Sequence, residues 1–219
     1  MKAVMISIQP KWCELIACGK KTIEVRKTRP KIDTPFKCYI YCSKSKPYLY
    51  KNPNNNELFL DKDLYRGGVY EDRFLSGKVI GEFVCDGIYG IFNFLPYDAD
   101  DIHHDLLPYV LEQTCLQDYE IDEYLGAKDG YGWHISDLVI YDKPKELGEF
   151  ESAFHCFNLK NVEAVENAFG DYVVKYWDNS FCRICKYYNG DFGDCDKRAY
   201  QPLTKPPQGW CYVEEKENE

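Results

Sequence analysis

The chain has 219 residues, of which 45% are apolar and 16% aromatic, so it can form the core of one sizeable domain and is not globally disordered. The net charge of −9 argues against a general nucleic-acid coat, yet residues 1–51 alone contain 12 Lys and Arg against 3 Asp and Glu. Such a basic stretch focuses an anionic ligand onto one face, unless it pairs with the acidic remainder. The sequence shows no signal peptide and no apolar run of about 20 residues, so we expect no membrane contact and reduced cysteines in the cytoplasm.

The N-terminal residues predict a strand followed by a short helix. Residues 2–8 alternate between two mostly apolar faces, which is typical of a buried strand. Pro10 suits the first turn of a helix, and Gly19 suits the position just after its last turn. The next strand is therefore expected to begin shortly after Gly19.

Residues 19–27 form the most informative stretch, with four cations and one carboxylate among nine residues. In a strand that covers residues 22–26, Glu24 and Arg26 share a face, which we expect to meet ligand or solvent. Lys21 has the wrong parity, so it joins them only if it precedes the strand or if a bulge intervenes. We interpret the stretch as one wall of a ligand pocket, with a simple surface ion pair between Glu24 and Arg26 as the alternative.

Residues 36–43 and 78–85 predict two further strands, and Gly81 indicates a bulge or a close backbone approach in the second. Residues 44–77 lose this periodicity and are predicted to be an insertion, either a lid or an ordinary surface loop. Apolar residues then recur with helical spacing over residues 102–111, where Pro108 interrupts them, and over residues 118–125. A closing strand is predicted at residues 133–141.

The composition changes near residue 146. We therefore predict one domain over residues 1–145 and a cysteine-containing extension over residues 146–219, with a helical segment at residues 162–169 and a disordered acidic tail. Four cysteines of the extension are compatible with a structural zinc site: Cys182, Cys185, Cys195 and Cys211. Four thiolates leave no open position for catalysis. The alternative is four reduced thiols packed as small apolar groups.

The sequence of strand, short helix and Gly-Lys-Lys-Thr-Ile-Glu-Val-Arg at residues 19–26, after Ser-Ile-Gln-Pro at residues 7–10, resembles the ASCH family of the PUA-like superfamily. Weaker similarity lies at residues 77–82 and 133–135. The resemblance covers roughly residues 2–145. It implies an α+β fold, namely a small β-barrel flanked by short helices, with a cleft for RNA or a modified nucleobase.

The resemblance also implies candidate catalytic residues. Some members of the family are amidohydrolases that act on acetylated cytidine with a Lys, a Thr and a Glu, and at least one relative is reported as a ribonuclease. The family's lysine falls on Lys21, whereas Glu24 stands where the amidohydrolases have Thr, which removes that hydroxyl. Glu112 and Glu120 are the two candidates for their glutamate.

The sequence thus predicts an ASCH-type module that binds RNA or a modified nucleobase or nucleoside beside residues 19–26. Its candidate ligand-binding residues include aromatic side chains that stack on a base and polar side chains that form hydrogen bonds with it: Trp12, Lys20, Thr22, Arg26, Trp133 and His134. One alternative is a hydrolase of N-acylated nucleosides or RNA with Lys21 and Glu24 as its acid–base pair. Another is a protein-interaction module that acts through the acidic C-terminal part. The sequence has no nucleotide triphosphate motif, and it does not predict an oligomeric state.

Overall fold

The computed structural model describes residues 3–64, 73–94, 103–105, 108–126, 128–153, 163–166, 172–175 and 200–215. The helices are α1 (Pro10–Ala17), α2 (Pro108–Thr114) and α3 (Asp118–Leu125), and a 3-10 turn covers Leu147–Glu149. The strands in chain order are β1 (Ala3–Ile8), β2 (Ile23–Arg26), β3 (Phe36–Cys42), β4 (Tyr48–Lys51), β5 (Leu58–Asp61), β6 (Val79–Cys85), β7 (Ile88–Phe94), β8 (His103–Asp105), β9 (Gly130–His134), β10 (Ser136–Lys145), β11 (Phe150–Ala153), β12 (Glu163–Glu166), β13 (Tyr172–Lys175), β14 (Tyr200–Pro202) and β15 (Trp210–Glu215). Within this part of the chain, no helix is long and apolar enough to cross a bilayer.

The described strands form four sheets, which together with the short helices confirm the predicted α+β class. A seven-stranded sheet has the order β10-β6-β3-β1-β15-β11-β14, and a four-stranded sheet has the order β2-β9-β7-β8. The pairs β4-β5 and β12-β13 form two-stranded sheets. None of the pairings among the described residues closes these sheets into a barrel.

Strand β1 is the centre of the larger sheet, because it pairs with β3 in parallel and with β15 in antiparallel orientation. Both of its faces are buried, as its alternating sequence predicts. Val4 and Ile6 belong to the main core cluster, whereas Met5 packs on the other face with Phe150 and Val213. Strands from both sides of the predicted boundary at residue 145 therefore share one sheet, while the division into two domains stays a prediction.

The predicted insertion at residues 44–77 contains a hairpin. Strands β4 and β5 pair with each other, and β4 was not anticipated from the sequence. Leu49 and Tyr50 are fully buried, and the amide of Leu49 donates to the Oγ of Ser76 over 2.9 Å. The hairpin is thus anchored in the core by side chains and backbone together, and its role as a lid stays a prediction.

Three predicted elements are wrong, and each error has a local cause. Residues 103–105 form strand β8 against β7, and α2 begins at Pro108, because proline is tolerated in a first helical turn but not in an interior one. The predicted strand at residues 133–141 is two strands, β9 and β10, which belong to different sheets. Residues 163–166 form strand β12 instead of helix, since strand pairing outweighs the weak periodicity of a short apolar segment.

Gly81 confirms the predicted close backbone approach. A Cβ atom at this position would lie 2.3 Å from the carbonyl oxygen of Val139, on the neighbouring strand β10. We therefore expect Gly81→Ala to lower the free energy of unfolding by about 1–3 kcal/mol in urea denaturation. The matched control is Gly148→Ala, where no heavy atom lies within 4 Å, and it should stay within about 0.5 kcal/mol of wild type. Equal losses in the two variants would contradict the steric explanation.

Candidate functional site

The turn after α1 explains how Lys21 joins the side chains of β2. Gly19 leaves the helix with a φ of +74°, and the amide of Lys21 donates to the carbonyl oxygen of Leu15 over 3.0 Å. Strand β2 begins only at Ile23. Lys21 therefore precedes the strand, and its side chain does not have to follow the alternation of the strand residues. This is one of the two arrangements in which we expected Lys21 to lie on the side of Glu24.

Lys21, Glu24 and Arg26 form one buried group, which we call the ionic cluster. The Nζ of Lys21 lies 3.4 Å from the Oε2 of Glu24, and an Nη of Arg26 lies 2.9 Å from the Oε1 of the same carboxylate. Their relative exposures are 2%, 6% and 8%, respectively. Two cations share one carboxylate, so the cluster carries a formal charge of +1 in a region from which water is largely excluded. A solvent-exposed ion pair, the alternative interpretation of this stretch, is thus excluded.

Backbone carbonyls complete the coordination of the two cations. The Nζ of Lys21 donates to the carbonyl oxygen of Thr114, at the end of α2, over 2.6 Å. The same Nη of Arg26 donates to the carbonyl oxygen of Ser7, in β1, over 2.6 Å. Ser7 in turn donates from its Oγ to the carbonyl oxygen of Pro207 over 2.6 Å. The cluster therefore joins β2 to α2, to β1 and, through Ser7, to the chain that leads into β15.

Buried thiols lie next to the ionic cluster. Burial raises the pKa of Cys13 well above its ordinary value, and a hydrogen bond with Cys42 and the nearby charge of Glu24 raise it further. Burial likewise raises the pKa of Cys38, although the proximity of Arg26 acts in the opposite direction. These thiols stay protonated at neutral pH, so they add no charge that would neutralise the cluster.

Neither candidate glutamate from the helical region contacts Lys21 among the described side chains. The Oε2 of Glu120 accepts the amide of Gln117 over 2.8 Å and so caps the N-terminus of α3. Glu112 is exposed on α2. Helix α2 contributes a backbone carbonyl to the cluster instead of a carboxylate.

The two residues beside Lys21 differ in their surroundings. The side chain of Lys20 is exposed. Thr22 is half-buried, and its Oγ1 donates to the Oε1 of Gln113 over 3.1 Å. The amide of Thr22 also donates to the carbonyl oxygen of Gln113 over 3.0 Å. Thr22 thus holds α2 against β2, and Lys20 is exposed to solvent, as is Lys27 at the other end of the stretch.

Trp12 lies beside the ionic cluster. Its ring is half-buried and packs against the main core, and the Nζ of Lys21 lies 5.1 Å from the ring centroid. The Nζ of Lys11 lies 4.2 Å from the same centroid. Two cations therefore interact with one indole, which helps to hold Lys21 in place. Base stacking on Trp12 stays a prediction.

Trp133 has no exposed surface, which excludes the predicted stacking of a base on it. The ring packs edge-on against Phe36, with centroids 5.9 Å apart, and against Trp210, with centroids 6.0 Å apart. Its position in β9 is directly opposite Glu24 in β2. Trp133 therefore meets the ionic cluster from inside the core.

His134 pairs with a carboxylate that the sequence did not single out. Its Nδ1 lies 2.6 Å from the Oδ1 of Asp86, in the turn between β6 and β7, and both side chains are partly exposed. The hydrogen bond with His134 is the main reason that the pKa of Asp86 lies below its usual range. This pair links β9 to the β6-β7 turn at the rim of the four-stranded sheet.

The Asp86–His134 pair gives a pH-dependent contribution to stability. Since folding lowers the pKa of Asp86, the contribution is present above the pKa of the unfolded chain, about 3.9, and is lost as the pH falls through the lower folded value. We expect Asp86→Asn to lower the Tm slightly at pH 6, and we expect its difference from wild type to shrink as the pH is lowered from 6 to 3. The control is Asp33→Asn, on an exposed loop. A difference that persists unchanged at pH 3 would contradict the assignment.

The zinc prediction concerns residues that lie mostly outside the described part of the chain. Cys182, Cys185 and Cys195 fall there, whereas Cys211 is in β15. Burial raises the pKa of Cys211 to about 11, and it packs against the second core cluster. Within the described residues no three His, Cys, Asp or Glu side chains are grouped as metal ligands. The zinc site stays a prediction.

Comparison with known families gives a match over the N-terminal part of the chain. Residues 6–68 match the family model of the ASCH domain, and this range contains the end of β1, the whole of α1 and the stretch from Gly19 to Lys27. The predicted resemblance is thus confirmed for the part of the chain that carries the ionic cluster. The ASCH family is associated with RNA binding.

The chain is also similar to solved ASCH structures from Zymomonas mobilis. The first is 15% identical over 66% of this chain and 73% of that one, with a TM-score of 0.40. A Tyr-to-Phe variant of that protein is 16% identical over 67% of this chain and 77% of that one, with a TM-score of 0.41. A Ser-to-Ala variant is 16% identical over 66% of this chain and 74% of that one, with a TM-score of 0.40. No curated protein matches the chain.

Proposed function

We propose that this ASCH-type protein binds RNA or a modified nucleobase or nucleoside at the ionic cluster, with residues 19–26 as one wall of the site. The observation that carries the proposal is the burial of Lys21, Glu24 and Arg26 together with an excess of one positive charge. Buried, uncompensated cations are costly for stability and are typical of ligand sites. The family match at residues 6–68 supports the nucleic-acid class of ligand.

The electrostatics outside the cluster agree with an anionic ligand. The N-terminal 51 residues have 12 basic and 3 acidic side chains. Lys11 and Lys20 are both exposed, and Lys11 lies over the ring of Trp12. These cations can contact phosphates, while the buried cluster can contact groups of the base. The described cysteines are all free thiols, which supports the cytoplasm as the compartment.

The test compares two charge-matched variants. Lys21→Met removes one of the two cations of the cluster and leaves the neutral pair of Glu24 and Arg26, whereas Lys37→Met removes a lysine whose side chain is 45% exposed. Affinities for short single-stranded RNA and for nucleosides are measured by calorimetry, with the Tm of each variant as a check on folding. We expect Lys21→Met to weaken binding at least tenfold, about 1.4 kcal/mol, and Lys37→Met to change it little. Equal losses would show that binding depends on net charge alone and would refute the proposed site.

A hydrolase is the second candidate, favoured by the 3.4 Å contact between Lys21 and Glu24 in a buried setting. Both partners already have other contacts, because Lys21 donates to Thr114 and Glu24 pairs with Arg26. The reaction is tested by incubating the protein with acetylcytidine and with RNA and following product formation. Turnover that disappears in Lys21→Met, which keeps the neutral pair of Glu24 and Arg26, would support hydrolysis, and turnover at the level of that variant would rule it out.

A further inference from the structure

Two buried N–H groups have no hydrogen-bond acceptor among the described residues. They are the Nε of Arg26 and the Nε1 of Trp133. Arg26 is 8% exposed and Trp133 is not exposed at all. An N–H group that loses water without gaining an acceptor costs free energy, so native structures leave few of them. Each of the two therefore needs an acceptor that the described residues do not supply.

The strand register places these donors on one face. Glu24 is directly opposite Trp133, and Arg26 is directly opposite Tyr131, in the antiparallel pair β2-β9. Residues that face each other across such a pair project to the same side, as do residues two positions apart. Trp133 and Arg26 therefore lie on the side of the sheet that carries the ionic cluster.

The nearest carboxylate cannot serve both donors without giving up its present partners. The Oε1 of Glu24 accepts from Arg26, and its Oε2 faces Lys21. The carbonyl oxygens of Ser7 and Thr114 also accept from these two cations. The groups that remain at this point are donors, and the cluster around them has an excess of positive charge.

We propose that Trp133 and Arg26 form a donor-only recognition point that binds an oxygen acceptor of the ligand. The acceptor is an oxo group of a nucleobase or an oxygen of a phosphate, and an amino group at the same position is rejected. Trp133 is thus a specificity-determining residue that acts through its N–H and not through its ring face. This inference rests on the proposed function and adds the chemical class of the group that is recognised.

Matched ligands separate the two sources of the acceptor. Uridine has an oxo group where cytidine has an amino group, and its adjacent ring nitrogen carries a proton. Inosine and adenosine differ in the same way, and uridine 5′-monophosphate adds a phosphate to uridine. If a base oxygen is the acceptor, we expect uridine and inosine to bind at least about tenfold tighter than their amino counterparts, because the unpaired donors reject an amino group. If phosphate is the acceptor, the monophosphates of uridine and cytidine bind equally and tighter than the nucleosides.

Two tryptophan variants provide the matched control. Trp133→Phe removes an N–H with no acceptor in the described structure, whereas Trp210→Phe removes one that already donates to the Oγ1 of Thr28 over 3.0 Å. Both variants lose the same atoms from neighbouring rings of one core. We expect only Trp133→Phe to abolish the preference for oxygen-bearing ligands. A preference that survives in Trp133→Phe overturns the inference even if RNA still binds.

The indole N–H resonances report on the same contact without relying on affinity. In ¹H–¹⁵N spectra, assigned with the two variants, we expect the Trp133 indole signal to move downfield on ligand addition and the Trp210 signal to stay in place. A ligand that binds and leaves the Trp133 signal unmoved overturns the inference, since ordered water then satisfies the donor, while the proposed function stands. If no nucleoside or RNA binds, the proposed function fails, and titration with acetate and inorganic phosphate, the smallest acceptors, decides the inference by the same signal.

Discussion

Replacing Glu24 by glutamine is expected to lower the free energy of unfolding by about 3–5 kcal/mol, one of the two largest effects that we predict for this chain. The substitution keeps the shape of the side chain and removes only its charge. Lys21 and Arg26, which are 2% and 8% exposed, would then share a buried region with no counter-ion. The measurement is urea denaturation at pH 7.

Glu82→Gln is the control for this prediction. Glu82 also has two partners, since its Oε1 accepts from Lys37 over 2.8 Å and its Oε2 accepts from Tyr141 over 2.6 Å. Its side chain is 22% exposed and that of Lys37 is 45% exposed, so water replaces the lost interaction. We expect a loss of at most about 1 kcal/mol, reduced further by salt. Losses of similar size at Glu24 and Glu82 would show that the ionic cluster is hydrated.

Lys21→Met should be milder than Glu24→Gln, although both remove one charge from the same cluster. Without Lys21, the pair of Glu24 and Arg26 remains neutral and its contact of 2.9 Å is kept. Replacing a buried charge by an apolar side chain of similar length is often close to neutral in stability. This asymmetry allows Lys21→Met to test ligand binding in a folded protein, whereas Glu24→Gln tests folding.

Local sequence patterns predict the part of the ionic cluster that depends on the turn after α1 and on the alternation of β2. The glycine after α1 and the alternation of β2 are short-range features, so the common face of Glu24 and Arg26 follows from strand parity alone. By the same parity, Lys21 can join them only if it lies before the strand or if a bulge intervenes. The turn at Gly19 places Lys21 before the strand. These inferences need no knowledge of the rest of the chain.

The partners of the cluster could not be predicted, because they are backbone atoms distant in sequence. The carbonyl oxygens of Ser7 and Thr114 lie 19 and 93 positions from the residues that donate to them. Every residue has a carbonyl oxygen, so residue type gives no signal. The burial of Trp133 could not be predicted either, because it depends on a residue that is distant in sequence. Its surroundings depend on Trp210, which only the pairing of β15 with β1 brings to that place.

Strand boundaries fail where one apolar segment serves two sheets. Residues 133–141 have the composition of one strand, yet Trp133 faces Glu24 in one sheet and Val139 faces Glu82 in the other. The change of sheet takes place at Ile135, whose amide donates to the carbonyl oxygen of Thr22. A periodic pattern cannot reveal such a change, because both halves alternate with the same period of two.

Ending the chain after Lys145 is expected to abolish cooperative folding, which is the second large effect. The truncation removes β11, β14 and β15 from the seven-stranded sheet and leaves β1, still paired with β3, as an edge strand. It also removes Phe150 and Val213, which are fully buried against Met5. We expect loss of near-UV circular dichroism, binding of a hydrophobic dye and aggregation, the usual results of exposing a long apolar edge strand.

A chain that ends after Glu215 is the matched control, because it keeps β15 and lacks only four residues. It should show the same Tm as the full chain. The contacts of Ser7 explain why the longer truncation would also disturb the site: its amide donates to Gly209 and its Oγ to Pro207, while its carbonyl oxygen holds Arg26. If residues 1–145 instead fold alone with an unchanged Tm, the predicted division at residue 145 is correct, and the C-terminal strands do not support the ionic cluster.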